Sequence, residues 1–287
     1  MKNNLKLGLA AIAVSTLGLA GCAQTSDAIV IGSQAYYSNE IVAEAYAQAL
    51  EEAGYEVERN FSLGQRDVYV PAILEGEVDL FPEYTGNLLQ YFNPDASETE
   101  ASAVYDALTN ALPEGLSALA MSPATDQDSY NVTQEFAAAN NLSSITDLAN
   151  LGSVTLGGAP ELAERPYGPT GLLSVYGVSV EFLATGDTTV ESLVAGDVDM
   201  ANVYSADPRI NQLGLVTLSD PEGLFLSSNL VPIASSALDQ GARDAINAVS
   251  LAMSADDLVA MNVRSVEEQL SASQIAGDWL RSEGLIN

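Results

Sequence analysis

The sequence predicts an α/β protein folded as two lobes, and three observations carry the prediction. Short apolar strands alternate with helices, the alternation restarts after about Leu151, and both halves share one pattern of glycine, aspartate and tyrosine. The run Ala28-Ile-Val-Ile-Gly32 reads as a strand, and a helix follows from about Ser38, a residue type favoured at N-caps, to a stop at Gly54. A strand near Val57–Phe61, a helix near Asp67–Leu74 and a short strand at Val78–Phe81 come next. Strands alternating with helices of this length predict a parallel sheet covered on both faces. In the second half, strands are expected near Val154–Leu156, Val180–Leu183 and Val198–Val203, and the chain from about Asp239 reads as mostly helical to Gly284.

The shared pattern is the most informative feature. Leu74-Glu-Gly-Glu-Val-Asp-Leu-Phe-Pro-Glu-Tyr84-Thr85 and Val194-Ala-Gly-Asp-Val-Asp-Met-Ala-Asn-Val-Tyr204-Ser205 each end a helix at glycine, begin a strand and place a tyrosine eight residues after the glycine. Each lobe then offers an aromatic ring at the carboxyl end of a strand, the edge where open α/β sheets bind ligands. The alternative is that the glycine–strand unit, common in α/β proteins, recurs with its tyrosine by coincidence.

Composition narrows the function. The 287 residues contain no histidine and a single cysteine, Cys22, which removes imidazole catalysis, Ser-His-Asp and Cys-His nucleophiles, histidine metal sites and any intrachain disulfide. No P-loop or complete Gly-x-Gly-x-x-Gly appears, and Gly157-Gly158 and Gly168-Pro-Thr-Gly171 are too short to claim a phosphate. Acidic residues outnumber basic ones 39 to 9, for a net charge of −30, a surface that repels nucleic acid. With that many carboxylates, chance pairs are expected, so a secreted hydrolase working through two of them stays open as the rival reading. Hydrophobic residues make up 47% and charged residues 17%, enough apolar content to bury a core.

The amino terminus reads as an export signal. Lys2 and Lys6 precede an apolar run from Leu7 to Ala20, shorter than the roughly 18–20 residues that span a bilayer. The run ends at Leu19-Ala20-Gly21-Cys22, which resembles a bacterial lipobox cut before the cysteine, whose thiol then receives a diacylglycerol. About 265 residues remain, one large domain or two ordinary ones.

Twelve tyrosines, several in polar, turn-like settings such as Gly32-Ser-Gln34-Ala-Tyr-Tyr37-Ser-Asn and Asp126-Gln-Asp-Ser-Tyr130-Asn-Val, supply the remaining chemistry. A cation without N–H donors is held by ring faces, at about 0.5–2 kcal/mol each. Three or four rings supply about half of the roughly −8 kcal/mol of micromolar binding.

At these residues the chain resembles the substrate-binding proteins of ABC importers for glycine betaine, choline and proline betaine. The resemblance runs from about Ile29 to Leu285 and is most specific at Gly76-Glu-Val-Asp-Leu-Phe-Pro-Glu-Tyr-Thr-Gly86-Asn87. Weaker matches follow in order at Ala159-Pro-Glu161-Leu-Ala-Glu-Arg165, Val203-Tyr204-Ser-Ala-Asp207, Leu218-Ser-Asp-Pro221 and Pro232. It implies a type II periplasmic-binding fold with the ligand cleft between lobes joined by two crossings. It implies that Tyr84, Tyr130 and Tyr204 form an aromatic cage around the cation, that Glu161 and Arg165 meet the ligand's other end, and that Gln34 and Asn87 are further polar contacts. Arg165 suits a carboxylate because its planar fork donates two bonds; its other use is a surface ion pair with Glu161 or Glu164. Relatives often carry another cage tyrosine before the proline matching Pro232, where this chain has Leu226-Ser-Ser-Asn-Leu-Val, and a lysine at Gln34. The fourth wall is thus open, filled by Tyr37 or Phe225, or tuned to another osmolyte such as ectoine.

The expected organisation is a signal peptide over 1–22, a linker over 23–27, a first lobe from 28–124 and 223–287, and a second over 125–222. The expected protein is an exported, lipid-anchored monomer without cofactor or metal, its partners a small quaternary-ammonium ligand and the importer's permease. A surface sensor or adhesin on the same fold is a further alternative.

Overall fold

The computed structural model describes residues 28–287, so the export signal, Cys22 and the linker expected before Ala28 lie outside the described residues. Two five-stranded sheets form. The first contains β1 (Ile29–Gly32), β2 (Val57–Asn60), β3 (Leu80–Tyr84), β4 (Leu116–Ala118) and β10 (Leu230–Ser235), in the order β2-β1-β3-β10-β4. The second contains β5 (Asp128–Val132), β6 (Val154–Gly158), β7 (Val180–Ala184), β8 (Met200–Tyr204) and β9 (Val216–Thr217), in the order β7-β6-β8-β5-β9. Each sheet is the floor of one lobe.

The alternation predicted from sequence is present, but the sheets are mixed instead of parallel. β1, β2 and β3 run parallel, as do β6, β7 and β8, while β10 is antiparallel to β3 and β4, and β5 is antiparallel to β8 and β9. The two odd strands are the ones by which the chain arrives from the other lobe, and an arriving strand needs no crossover helix. In β10, Pro232 stands opposite Pro82 of β3. Three pairs along, Thr85 N–H bonds to the Asn229 carbonyl at 2.9 Å, so by alternation the two prolines meet at a position that requires no N–H from either.

Period-two alternation sorts each central strand between two cores. Leu80 and Tyr84 of β3 face helix α1 (Tyr37–Glu52) and the carboxyl-terminal helices, packing with Tyr46, Leu50, Ile246, Ile275 and Leu280. Phe81 faces the other way, onto Tyr69, Leu88 and Leu108. In the second lobe Tyr130, Ile145, Leu156, Leu172 and Met200 form the main core. α1 begins one residue earlier than its sequence suggests: Tyr36 occupies the cap position in extended conformation without a side-chain cap, and Ser38 lies inside the first turn. No helix among the described residues is long and apolar enough to cross a membrane.

The repeated pattern has the same structural meaning in both lobes. Helix α2 (Arg66–Leu74) stops at Gly76 with φ +76°, and the helix Thr189–Ala195 stops at Gly196 with φ +79°, left-handed positions that glycine adopts without strain. The aspartate three residues on then grips the adjacent parallel strand from both sides. Asp79 donates its N–H to the Val30 carbonyl (2.8 Å) and accepts the Val30 N–H on Oδ2 (3.0 Å). Asp199 does the same to Thr155, at 3.0 and 2.9 Å. Asp79→Ala or Asp199→Ala therefore leaves a strand N–H without its acceptor. Each is expected to lower unfolding free energy by about 1–3 kcal/mol, read from urea midpoints; unchanged midpoints in both variants would contradict this role.

Candidate functional site

The two lobes meet along a ribbon made by the chain crossings, 119–127 and 218–229. Thr125 and Asn229 form an antiparallel bridge, Leu230 N–H reaches the Ala124 carbonyl (2.9 Å), and Asn229 Nδ2 donates to the Ser122 carbonyl (3.0 Å). Above this ribbon lies a cleft of about 560 Å³, within the roughly 300–1,000 Å³ usual for small-molecule sites. Its first-lobe wall includes Tyr36, Tyr37, Ser38 and Gln65; its second-lobe wall includes Glu161, Asn202, Tyr204 and Asp207; Asp126 lies at the crossing. Tyr36 and Tyr204 stack across it with ring centroids 5.9 Å apart and planes at 17°. Tyr204 keeps 41% of its surface open. Another hollow of about 480 Å³ lies beside α1, where Arg59 pairs with Glu44 and Glu51, and no aromatic residue lines it.

Several polar groups in the cleft are unsatisfied. Ser38 Oγ, Asn202 Nδ2 and Asn262 Oδ1 belong to lining residues and are buried without a hydrogen-bond partner among the described residues, as is the Tyr84 hydroxyl behind them. Orphaned polar atoms are uncommon in folded interiors, so their grouping here marks a place where a ligand's contacts are wanted. Asp126 is 4% exposed and its carboxyl is pushed up to about 7, first by burial and then by the charges of Asp128 and Asp207, against the stabilising Ala206 N–H.

Beneath the wall, Glu83 anchors the end of β3. It is 1% exposed and takes a two-pronged ion pair from Arg66 on α2 (both contacts 2.8 Å), a hydrogen bond from the Tyr69 hydroxyl, and the Tyr84 N–H at 2.8 Å. A second junction joins the lobes directly. Asn87, in helix α3 (Thr85–Phe92), donates Nδ2 to Asp128 Oδ2 (2.8 Å) and to the Tyr167 hydroxyl (3.1 Å), while Ser228 donates to its Oδ1 (2.5 Å). Burial raises the Asp128 carboxyl, and the Asn87 and Tyr167 hydrogen bonds oppose that shift.

The structure distributes the predicted site residues unevenly. Glu161 and Tyr204 line the cleft, and Arg165 lines its narrow extension with Arg66, Asp128 and Tyr167. Arg165 forms no ion pair among the described residues, so neither Glu161 nor Glu164 holds it. Asn87 occupies the interlobe junction. Three more of the expected residues lie outside the lining of the cleft. Tyr84 is 3% exposed and packs toward α1, because it shares the face of Leu80; the ring opposite Tyr204 is instead Tyr36. Tyr130 is fully buried in the second core, its ring edge on Phe225 and its hydroxyl bonded to the Tyr167 carbonyl, so Phe225 covers Tyr130 and not the cleft. Gln34 is buried, its N–H held by Asn39 Oδ1 (2.8 Å), outside the lining. Tyr36 and Asp126 were not singled out as site residues by the sequence reading, although both stand in the polar tyrosine segments it marked.

Two α/β lobes joined by two crossings, with a part-aromatic cleft between them, make the architecture of a solute-binding protein. A family model for the substrate binding domain of ABC-type glycine betaine transport systems matches residues 27–282. The glycine betaine-binding protein YehZ of Escherichia coli (strain K12) is 28% identical over 281 residues, covering 91% of this chain and 92% of that protein. A glycine-betaine-binding protein of Pseudomonas aeruginosa is 26% identical, covering 96% and 94%. A crystal structure of a glycine betaine/carnitine/choline ABC transporter protein superposes with a TM-score of 0.75 at 18% identity, over 90% of this chain and 100% of that one. The chain belongs to the family of substrate-binding domains of ABC-type glycine betaine transport systems, a family of transport proteins and not of enzymes.

The Glu83 anchor carries its own prediction. Glu83→Ala leaves the Arg66 charge buried without its partner and is expected to cost about 3–5 kcal/mol of stability, with the denaturant slope unchanged. A loss below about 1 kcal/mol would show that Arg66 is satisfied elsewhere.

Proposed function

We propose that the protein captures a small quaternary-ammonium solute, of the glycine betaine or choline type, in the interlobe cleft and delivers it to an ABC importer. One observation carries the reading: Tyr36 and Tyr204, from opposite lobes, line the same cavity as a buried carboxylate. A trimethylammonium head has no N–H to donate, and facing tyrosine rings with a nearby negative charge suit it. The relatives named for glycine betaine support the choice of solute class. At the far end, the unpaired Arg165 is suited to a ligand carboxylate, with Glu161 beside it. Tyr84, through its free hydroxyl behind Tyr36, and Tyr130, beneath the floor, support the rings that touch the ligand. Ligand contacts from both lobes favour closure about the paired crossings, which gives the loaded protein a distinct shape for the permease. The protein acts as an exported monomer, tethered by a diacylglycerol on Cys22.

Calorimetric titration tests the site. Tyr36→Leu and Tyr204→Leu are each expected to weaken glycine betaine and choline by about 1–2 kcal/mol, roughly 5–30-fold, because leucine keeps apolar area but lacks the π-face. Arg165→Ala should cost glycine betaine more than choline, which has no carboxylate. Parent-like affinities in both leucine variants would refute the aromatic contact, and equal losses would remove Arg165 from the ligand. The tether is tested separately: Cys22→Ala should leave the membrane fraction, and a variant that stays there would contradict lipidation.

A further inference from the structure

We infer that Asn262, on a helix of the first lobe, is a positioning residue for Tyr204 of the second: it clasps the turn behind that ring and so sets how tightly the cleft holds its solute. The inference rests on the quaternary-ammonium reading above and adds to it a residue that acts on the ring instead of on the ligand. Tyr204 ends β8, and a tight turn follows, closed by the Asp207 N–H on the Tyr204 carbonyl at 2.9 Å. Ala206, at the tip of that turn, is 1% exposed. It is buried in the opposite lobe: of residues 125–222 it alone joins the core that α1, Leu80 and the carboxyl-terminal helices form in the first lobe.

Both backbone groups of Ala206 are engaged there. Its N–H donates to Asp126 Oδ1 on the crossing (2.9 Å), and its carbonyl accepts from Asn262 Nδ2 (3.0 Å). Asn262 is 1% exposed and sits in the helix Ala255–Val266. That helix is fixed within its own lobe, since a capping box joins Ser254 and Asp257 at its start and it packs on α1 and on the helix Ala272–Ser282. Only the NH2 of an amide can donate to a carbonyl, so the bond also fixes which way the amide faces, with Oδ1 left unpartnered at the cleft lining. The exposed Gln212–Glu267 hydrogen bond spans the same seam at the end of this helix, where water competes with it.

Tyr204 depends on the clasp because little else holds it. With 41% of its surface open, and Tyr36 at 5.9 Å its one aromatic neighbour among the described residues, the ring stands where its backbone puts it. Without the Asn262 donor, a buried carbonyl goes unsatisfied unless the turn withdraws into water, and withdrawal carries Tyr204 away from Tyr36. A solute that needs both rings then binds only those molecules in which the turn is seated, and its apparent affinity falls by that fraction.

The test is calorimetric titration of glycine betaine and choline against Asn262→Ala, Tyr204→Leu, the variant carrying both, and Ala206→Leu. Asn262→Ala removes the donor and adds no bulk. It should weaken both solutes by about tenfold, and by the same factor, because the ring meets the trimethylammonium head they share. Beside Tyr204→Leu the same substitution should change affinity by less than about twofold, since the ring it positions is gone, a coupling that a general loss of folding would not give. Ala206→Leu is too large to seat in the enclosed site and should repeat the loss with Asn262 intact; a retained urea transition checks folding, and this variant decides the matter should Asn262→Ala not fold. Parent affinities in Asn262→Ala and Ala206→Leu, or a loss from Asn262→Ala that persists undiminished beside Tyr204→Leu, overturn the clasp and leave the cleft reading standing. A parent protein that binds neither solute overturns both.

Discussion

Two chain crossings lying side by side, bridged at Thr125 and Asn229, hold every feature of the cleft in register. Because the chain passes between lobes there, β5 and β10 enter their sheets antiparallel to strands that are otherwise parallel. Because they leave the ribbon at adjacent points, Asp128, just past one crossing, and Ser228 and Asn229 on the other are brought against Asn87 and Thr85. The ribbon is thus the floor of the cleft, and its two aromatic walls stand on either side of it.

Electrostatics separates two kinds of buried acid. Glu83 is neutralised on site by Arg66 and two further donors of its own lobe, so its charge holds the end of β3 and is silent toward the cleft. Asp126 has one backbone N–H and two acidic neighbours. The first arrangement is complete without a ligand, and the second becomes complete with a cation. The net charge of −30 acts mostly at the surface, where salt screens it within about 10 Å, and does not substitute for a carboxylate at contact distance.

Much of the scaffold was legible in the sequence because it repeats. The glycine stops, the aspartates that grip the next strand and the strands ending at Tyr84 and Tyr204 all follow from one local pattern, and local patterns need no knowledge of distant contacts. The inward face of Tyr84 was not read, because the expected strand stopped at Phe81 and the alternation that puts Tyr84 with Leu80 runs on to the end of β3. Other features were not legible. Pro232 hid a central strand, because its tolerance depends on Pro82 opposite it. Arg66 and Glu83 meet across 17 positions, and Tyr36 meets Tyr204 only when the lobes are assembled. Asp126 was one carboxylate among 39 acidic residues until burial and the lack of a partner distinguished it.

The central claim is a position for a positive charge beside two rings from opposite lobes. A crystal structure of the protein with glycine betaine measures it directly. The account predicts the trimethylammonium nitrogen within about 6 Å of the ring centroids of both Tyr36 and Tyr204, on the Asp126 side of the cleft. A nitrogen lodged away from both rings, with the Tyr36–Tyr204 stack unchanged, would contradict it.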